Sequence, residues 1–317
     1  MQFRTEVNPS LTKIEINHQS RVLTLGSCFS DNIGTKLESG GIKVINNPFG
    51  TIFNPISLSN IIDKCYEGIE LDPNLFTSDN KHHELHSSFG GANKDSIAQK
   101  FNKKCKKVLE LEPTCIIITL GSSFIYRRKS DNKIVSNCHK VPQSEFKKEL
   151  ISIEEITSSL NNVISHYFHK PIILTVSPVR HTKDGIEENA LSKALLRIAC
   201  NEVIGNNDNV SYFPTYEIFM DDLRDYRFYK EDLVHPNEMG IEYTWEKFQS
   251  CCFNESTATL YNQVKKINQA VNHRSISNNP EKDTEHLKRT LAKAQELSGQ
   301  VDMSLIIAKI EKRLDEL

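Results

Sequence analysis

The chain has no surplus of positive charge: 39 lysines and arginines stand against 41 aspartates and glutamates, a net −2 over 317 residues. Binding to nucleic acid or to an anionic membrane draws on such a surplus, so neither is expected as a partner. The one dense basic stretch, Lys100-Phe101-Asn102-Lys103-Lys104-Cys105-Lys106-Lys107, has the spacing of the wet face of a helix. No apolar run approaches the ~20 residues that a membrane-crossing helix needs. The opening residues, Met1 to Val7, lack the apolar segment of a signal peptide. Cysteines 28, 65, 105, 115, 138, 200, 251 and 252 form no C-x-x-C pair, which argues against a zinc knuckle and against a disulfide framework. Reduced thiols and no visible export signal make the cytoplasm the expected compartment. What remains is ordinary for a soluble globular protein: 38% hydrophobic and 25% charged residues.

Short apolar runs alternate with helical patterns. Strands are expected at Arg21–Leu25, Ile42–Ile45, Cys115–Leu120, Pro171–Val176 and, more weakly, Val210–Pro214. Cys115–Leu120 is nearly all apolar, as a strand buried on both faces should be. Helices are expected at Asp31–Leu37, Ile97–Leu109, Ile153–His166, Asn189–Val203 and Glu238–Phe248. This alternation implies βαβ units: an α/β fold with a mostly parallel five-stranded sheet flanked by helices. In such sheets ligands bind beyond the carboxyl ends of the strands. The polar stretches 26–30, 46–54, 121–128 and 177–185 all follow strand ends and should converge on one crevice. The α/β domain is assigned to residues 1–255. Residues 256–317 form a helical extension, with a polar linker at Asn268–Asn279 and amphipathic helices at Glu281–Ser298 and Asp302–Leu317, packed as an appendage or used for self-association.

Gly26-Ser27-Cys28-Phe29 sits where the first strand gives way to a helix. A side chain there lies beside free N–H groups and the positive end of the helix dipole, which favours a thiolate and can stabilise an oxyanion. The same residues read more plainly as a helix cap at Ser27 and a small buried filler at Cys28. Asp232-Leu233-Val234-His235-Pro236 offers the complement. An imidazole can take a proton from the nucleophile through one nitrogen while a carboxylate three residues earlier holds the other.

The stretch Gly26-Ser27-Cys28-Phe29 resembles the signature of the GSCFA family, with Ser30 where that name has alanine. The similarity runs on through Asn47-Pro48-Phe49-Gly50-Thr51-Ile52-Phe53-Asn54-Pro55, Asn137-Cys138-His139-Lys140, Ser177-Pro178-Val179-Arg180-His181 and Leu223-Arg224-Asp225-Tyr226-Arg227-Phe228-Tyr229. It covers roughly residues 1–250. That family resembles the SGNH/GDSL hydrolases, which cleave or transfer acyl groups. Set against their G-D-S-L, Cys28 takes the nucleophile position, with Ser27 as its rival, and Asp232 and His235 match their last block. The resemblance also implies Gly50 as an oxyanion donor. The asparagine expected after the third strand is absent, because the chain reads Gly121-Ser122-Ser123; Ser123, a backbone N–H or Asn54 would have to replace it.

His139, Arg180 and His181 lie in polar loops after strand ends and are candidates to recognise a carboxylate or phosphate; Lys140, Arg127 and Arg128 are weaker ones. His82-His83-Glu84-Leu85-His86 has metal-ligating residue types without ligand geometry and reads as loop, so no metal and no cofactor is expected. The expected function is an acyl hydrolase (esterase or thioesterase) or acyltransferase acting on a small-molecule or glycan acyl substrate. The alternative is a non-catalytic binder of a glycan or acyl carrier.

Overall fold

The computed structural model describes residues 4–11, 14–272 and 280–316. Five strands form one all-parallel sheet: β1 (Arg21–Gly26), β2 (Lys43–Asn46), β3 (Cys115–Leu120), β7 (Ile172–Val176) and β8 (Val210–Tyr212), in the order β2-β1-β3-β7-β8. The order reverses between β1 and β3. A doubly wound sheet opens its ligand crevice at such a switch point. The expected strands are all present. β3 is buried along its whole length, as its composition requires.

Side chains alternate across this sheet, and each face has its own core. Leu23, Leu25, Ile116, Ile118, Leu174 and Val176 face α2 (Pro55–Glu67), α3 (Lys94–Leu111), α4 (Ile153–Ser165) and α5 (Ile186–Asn206). Val22, Cys115, Ile117 and Ile173 face α1 (Cys28–Ser39) and α7 (Glu238–Cys252), where Trp245 and Phe248 are fully buried. Helix α2 is not among the helices expected from periodicity, although Asn54 as N-cap and Pro55 at the first turn are a start signal. A second, antiparallel sheet of β4 (Phe124–Arg128), β5 (Ile134–Val135) and β6 (Phe146–Leu150) was likewise not expected. Its short charged strands carry little apolar periodicity.

After β8 a single turn, α6 (Thr215–Glu217), runs into π-helical Ile218–Leu223. The chain ends in α8 (Glu255–Asn272), α9 (Pro280–Leu297) and α10 (Ser304–Asp315), which share a core of Val264, Ile267, Val271, Leu287, Val301 and Ile310. The linker expected from Asn268 is corrected in part: α8 stays helical as far as Asn272, while residues 273–279 lie outside the described residues. Among the described residues no helix is long and apolar enough to cross a membrane.

Candidate functional site

β1 ends at Gly26 with φ +114°, a conformation that favours glycine, and a Cβ there would collide with the Thr119 carbonyl oxygen. The turn is tied to its neighbours: Ser27 N donates to Thr119 O at 2.9 Å, and Ile52 N donates to Gly26 O at 2.9 Å. The chain then enters α1 with Ser27 as N-cap and Cys28 as the first helical residue.

The two rival nucleophiles differ in setting. Ser27 is buried at 1% exposure, and its hydroxyl accepts from Phe29 N at 3.4 Å as the cap of α1. Cys28 is half-buried, in the first turn of the helix. Its thiol does not have the depressed pKa expected of a helix N-terminus. Burial, and then the Asp31 carboxylate, push it above the usual range, against its own backbone N–H, Lys193 and Lys230, which pull it down. Loss of hydration at the sulfur outweighs the dipole. A thiol of this kind needs a base.

The loop from Tyr229 to Pro236 presents one. It closes on itself through Lys230 N to His235 O at 2.8 Å and Leu233 N to Lys230 O at 2.9 Å, with Leu233 at φ +55°. Arg180, four residues past the end of β7, holds it at the sheet edge: its backbone N donates to Val234 O at 3.2 Å and its Nη1 to Leu233 O at 3.0 Å. Asp232 Oδ1 accepts from the backbone N of Val234 and of His235, both at 2.9 Å, while Oδ2 meets His235 Nδ1 at 2.7 Å. The two backbone hydrogen bonds, then the ring, hold the Asp232 carboxyl down to about 2. An ionised Asp232 is acceptor only, so His235 Nδ1 donates to it, and in the neutral ring Nε2 is the acceptor. Among the described residues no hydrogen bond joins His235 to Cys28. The link between the two segments is electrostatic, through Lys230 of the same loop.

The expected backbone oxyanion donors are already engaged. Gly50 N donates to Asn47 O at 2.8 Å, and Gly121 N and Ser122 N donate to Phe53 O at 2.8 and 2.9 Å. Ser123 N donates to Ser192 Oγ at 2.8 Å, and its hydroxyl donates to Ser192 as well. Asn54 caps α2, its Oδ1 accepting from Ser57 N at 2.8 Å. The Cys28 N–H, at the head of α1, acts on its own sulfur.

Asn54, Ser122, Asn137 and His181, with the apolar Phe53 and Phe124, line a cleft of about 410 Å³ between the two sheets. His181 stacks edge-on against Phe53, with ring centroids 5.5 Å apart. Arg180 lies over Tyr226 and Tyr229 beside a smaller hollow of about 210 Å³. His139 is buried, with Nε2 2.8 Å from His82 O. Arg127 and Arg128 pair with Glu149 and Asp131. Among the described residues no group of histidines, cysteines and carboxylates could hold a metal ion.

Three residues at the site were given no individual role by the sequence: Asn47, Asp31 and Lys193. Asn47 is buried at φ +40° and reaches both the Gly26 peptide and Asp31 Oδ2, the latter at 3.4 Å. Lys193 lies on the stripe of α5 that also buries Asn189, Ser192, Leu196, Ala199, Cys200 and Val203. A lysine inside an otherwise inward-facing stripe was the readable signal.

A glycine-hinged strand-to-helix turn at a sheet switch point, with cysteine first in the helix, defines the chain as an α/β protein of the GSCFA type. The GSCFA family profile matches residues 21–248, and the GSCFA domain protein, C-terminal domain, matches residues 264–316; the chain belongs to the GSCFA family. No curated protein matches it.

Proposed function

We propose that the chain is an SGNH-like acyl hydrolase or acyltransferase with Cys28 as nucleophile, His235 as general base and Asp232 as its orienter. The observation that carries the reading is the Asp232–His235 pair at 2.7 Å, in a loop fastened to the same sheet edge at which Cys28 begins α1. Cys28 Sγ would attack the acyl carbonyl carbon while its proton passes to His235 Nε2. The leaving alcohol or thiol takes that proton as the acyl C–O or C–S bond breaks, leaving a thioester on Cys28. Water or an acceptor, deprotonated by His235, then releases the acyl group and restores the thiol. The scheme requires that bound substrate and His235 Nε2 meet at the Cys28 thiol, since no hydrogen bond joins the two side chains among the described residues. Free thiols at all eight cysteines support a reducing compartment, the cytoplasm.

The engaged N–H groups at Gly50, Gly121 and Ser123 favour one alternative, a non-catalytic binder of a glycan or acyl carrier in the same crevice. Short acyl esters and acyl thioesters, assayed with Cys28→Ala, Ser27→Ala and His235→Ala, separate the two. Loss of turnover with Cys28→Ala and His235→Ala, and acylation of Cys28 seen by mass, supports the enzyme. Turnover unchanged by His235→Ala overturns the scheme, and no turnover at all, with saturable ligand binding, supports the binder.

A further inference from the structure

Lys193 is 1% exposed, in the middle of α5. Its Nζ donates to Gly121 O at 2.6 Å and to Ser177 O at 2.8 Å, the carbonyls just beyond the ends of β3 and β7. Two carbonyls satisfy two N–H groups but neutralise no charge, and among the described residues no carboxylate pairs with this ammonium. A buried cation without an anion is costly. Glutamine would bridge the same carbonyls without that cost.

The sheet register shows what lies beside it. Ser27 N is bonded to Thr119 O, and Gly121 follows Thr119 by two residues, roughly 7 Å along a strand. Cys28 follows Ser27 by one residue, so the head of α1 and the Lys193 ammonium both lie at the carboxyl end of β3. Burial draws the lysine down to about 7, and the one group that raises it is Cys28. The groups acting on Cys28 are Asp31 on its own helix, Lys193 from α5 and Lys230 from the 229–236 loop.

We propose that Lys193 is a positioning residue whose ammonium charge stabilises the Cys28 thiolate, so that the missing anion of this buried cation is the nucleophile itself. This rests on Cys28 being the nucleophile, yet it is testable without any substrate. The pair titrates jointly: the proton that His235 removes from sulfur leaves a thiolate–ammonium pair in a low-dielectric edge, where it is held more strongly than in water.

The test is carbamidomethylation of Cys28 by iodoacetamide across pH, read by peptide mass on the full chain. Lys193→Gln keeps two donors for the carbonyls and loses the charge; Lys193→Met loses both. Both should slow alkylation at pH 7.5 about tenfold and move its midpoint upward, while Lys193→Arg restores most of the rate. A Lys193→Gln profile that superimposes on the wild type assigns the lysine to carbonyl bridging alone and overturns the proposal. Should the Lys193 variants unfold, the Lys193 Nζ midpoint is followed by nitrogen-15 NMR in Cys28→Ser. It should fall when the thiol is gone, and an unchanged midpoint overturns the proposal. Absent acyl turnover with these shifts intact would fault the enzyme reading alone and leave the Lys193–Cys28 charge pair standing.

Discussion

The side-chain amide of Asn47 brackets the peptide unit of Gly26: Oδ1 accepts from Gly26 N and Nδ2 donates to Gly26 O, each at 3.2 Å. Asn47 itself is pinned by its backbone N to Thr24 O at 3.0 Å. The turn that presents Cys28 is therefore fixed from the β2 side by one amide and from the β3 side by Thr119.

Replacing Asn47 with alanine should lower stability by about 1–3 kcal/mol, since it leaves buried peptide groups without partners. Gly26→Ala should be worse, because the added Cβ strikes the Thr119 carbonyl and the backbone is at φ +114°. Thermal melts of the two variants check both; a Gly26→Ala variant as stable as the wild type would contradict the geometry of the turn.

Asp232→Asn keeps the shape of the loop but can turn an N–H toward His235 Nδ1 and so favour the wrong tautomer. Under the proposed mechanism kcat should fall about 10²–10⁴-fold with little change in KM. Steady-state kinetics on the best acyl ester or thioester decides it.

Asp31 raises the Cys28 thiol as its second cause after burial. Asp31→Asn removes that negative charge and leaves an oxygen for Asn47. Alkylation of Cys28 at pH 7.5 should become several-fold faster, the opposite of the Lys193→Gln effect.

Much of the fold was legible because parallel strands buried on both faces are written as unbroken apolar runs, as in Cys115–Leu120. The antiparallel sheet was not, since Phe124–Arg128 and Phe146–Leu150 mix aromatic and charged residues with no clear period. At the site, Cys28 and the Asp232–His235 pair stood out by residue type and chain order. Asn47 did not, because its role is to hold a backbone peptide, and any polar residue in a loop looks alike until the register is known. The oxyanion expectations for Gly50 and Ser123 met N–H groups already used by a turn and by α5. Backbone hydrogen bonding of that kind is set by tertiary contacts and leaves no trace in residue identity.

His82 is buried, with Nε2 2.9 Å from Asp72 O, and burial draws it down to about 4. Its folded pKa lies below the unfolded value near 6.5, so the unfolded chain takes up the proton first. Stability is complete above about pH 6.5 and is lost as pH falls toward 4, by about 3 kcal/mol from this residue. Denaturant melts at pH 7.5 and 5 should show the loss, and His82→Asn should flatten it.

Ending the chain after Asn272 should lower the melting temperature and promote aggregation, measured by light scattering, because Val264, Ile267 and Val271 lose the cover of α9 and α10.

Helix α8 answers to two masters. Tyr261 sits beneath Trp245 in the core below the parallel sheet, and its hydroxyl donates to Lys36 O at 2.9 Å, near the end of the helix that Cys28 begins. One turn on, Val264 belongs to the terminal bundle. Loosening α8 would therefore strip a hydrogen bond from Lys36 O, eight residues along α1 from Cys28, so the terminal helices and the helix of the thiol share one support.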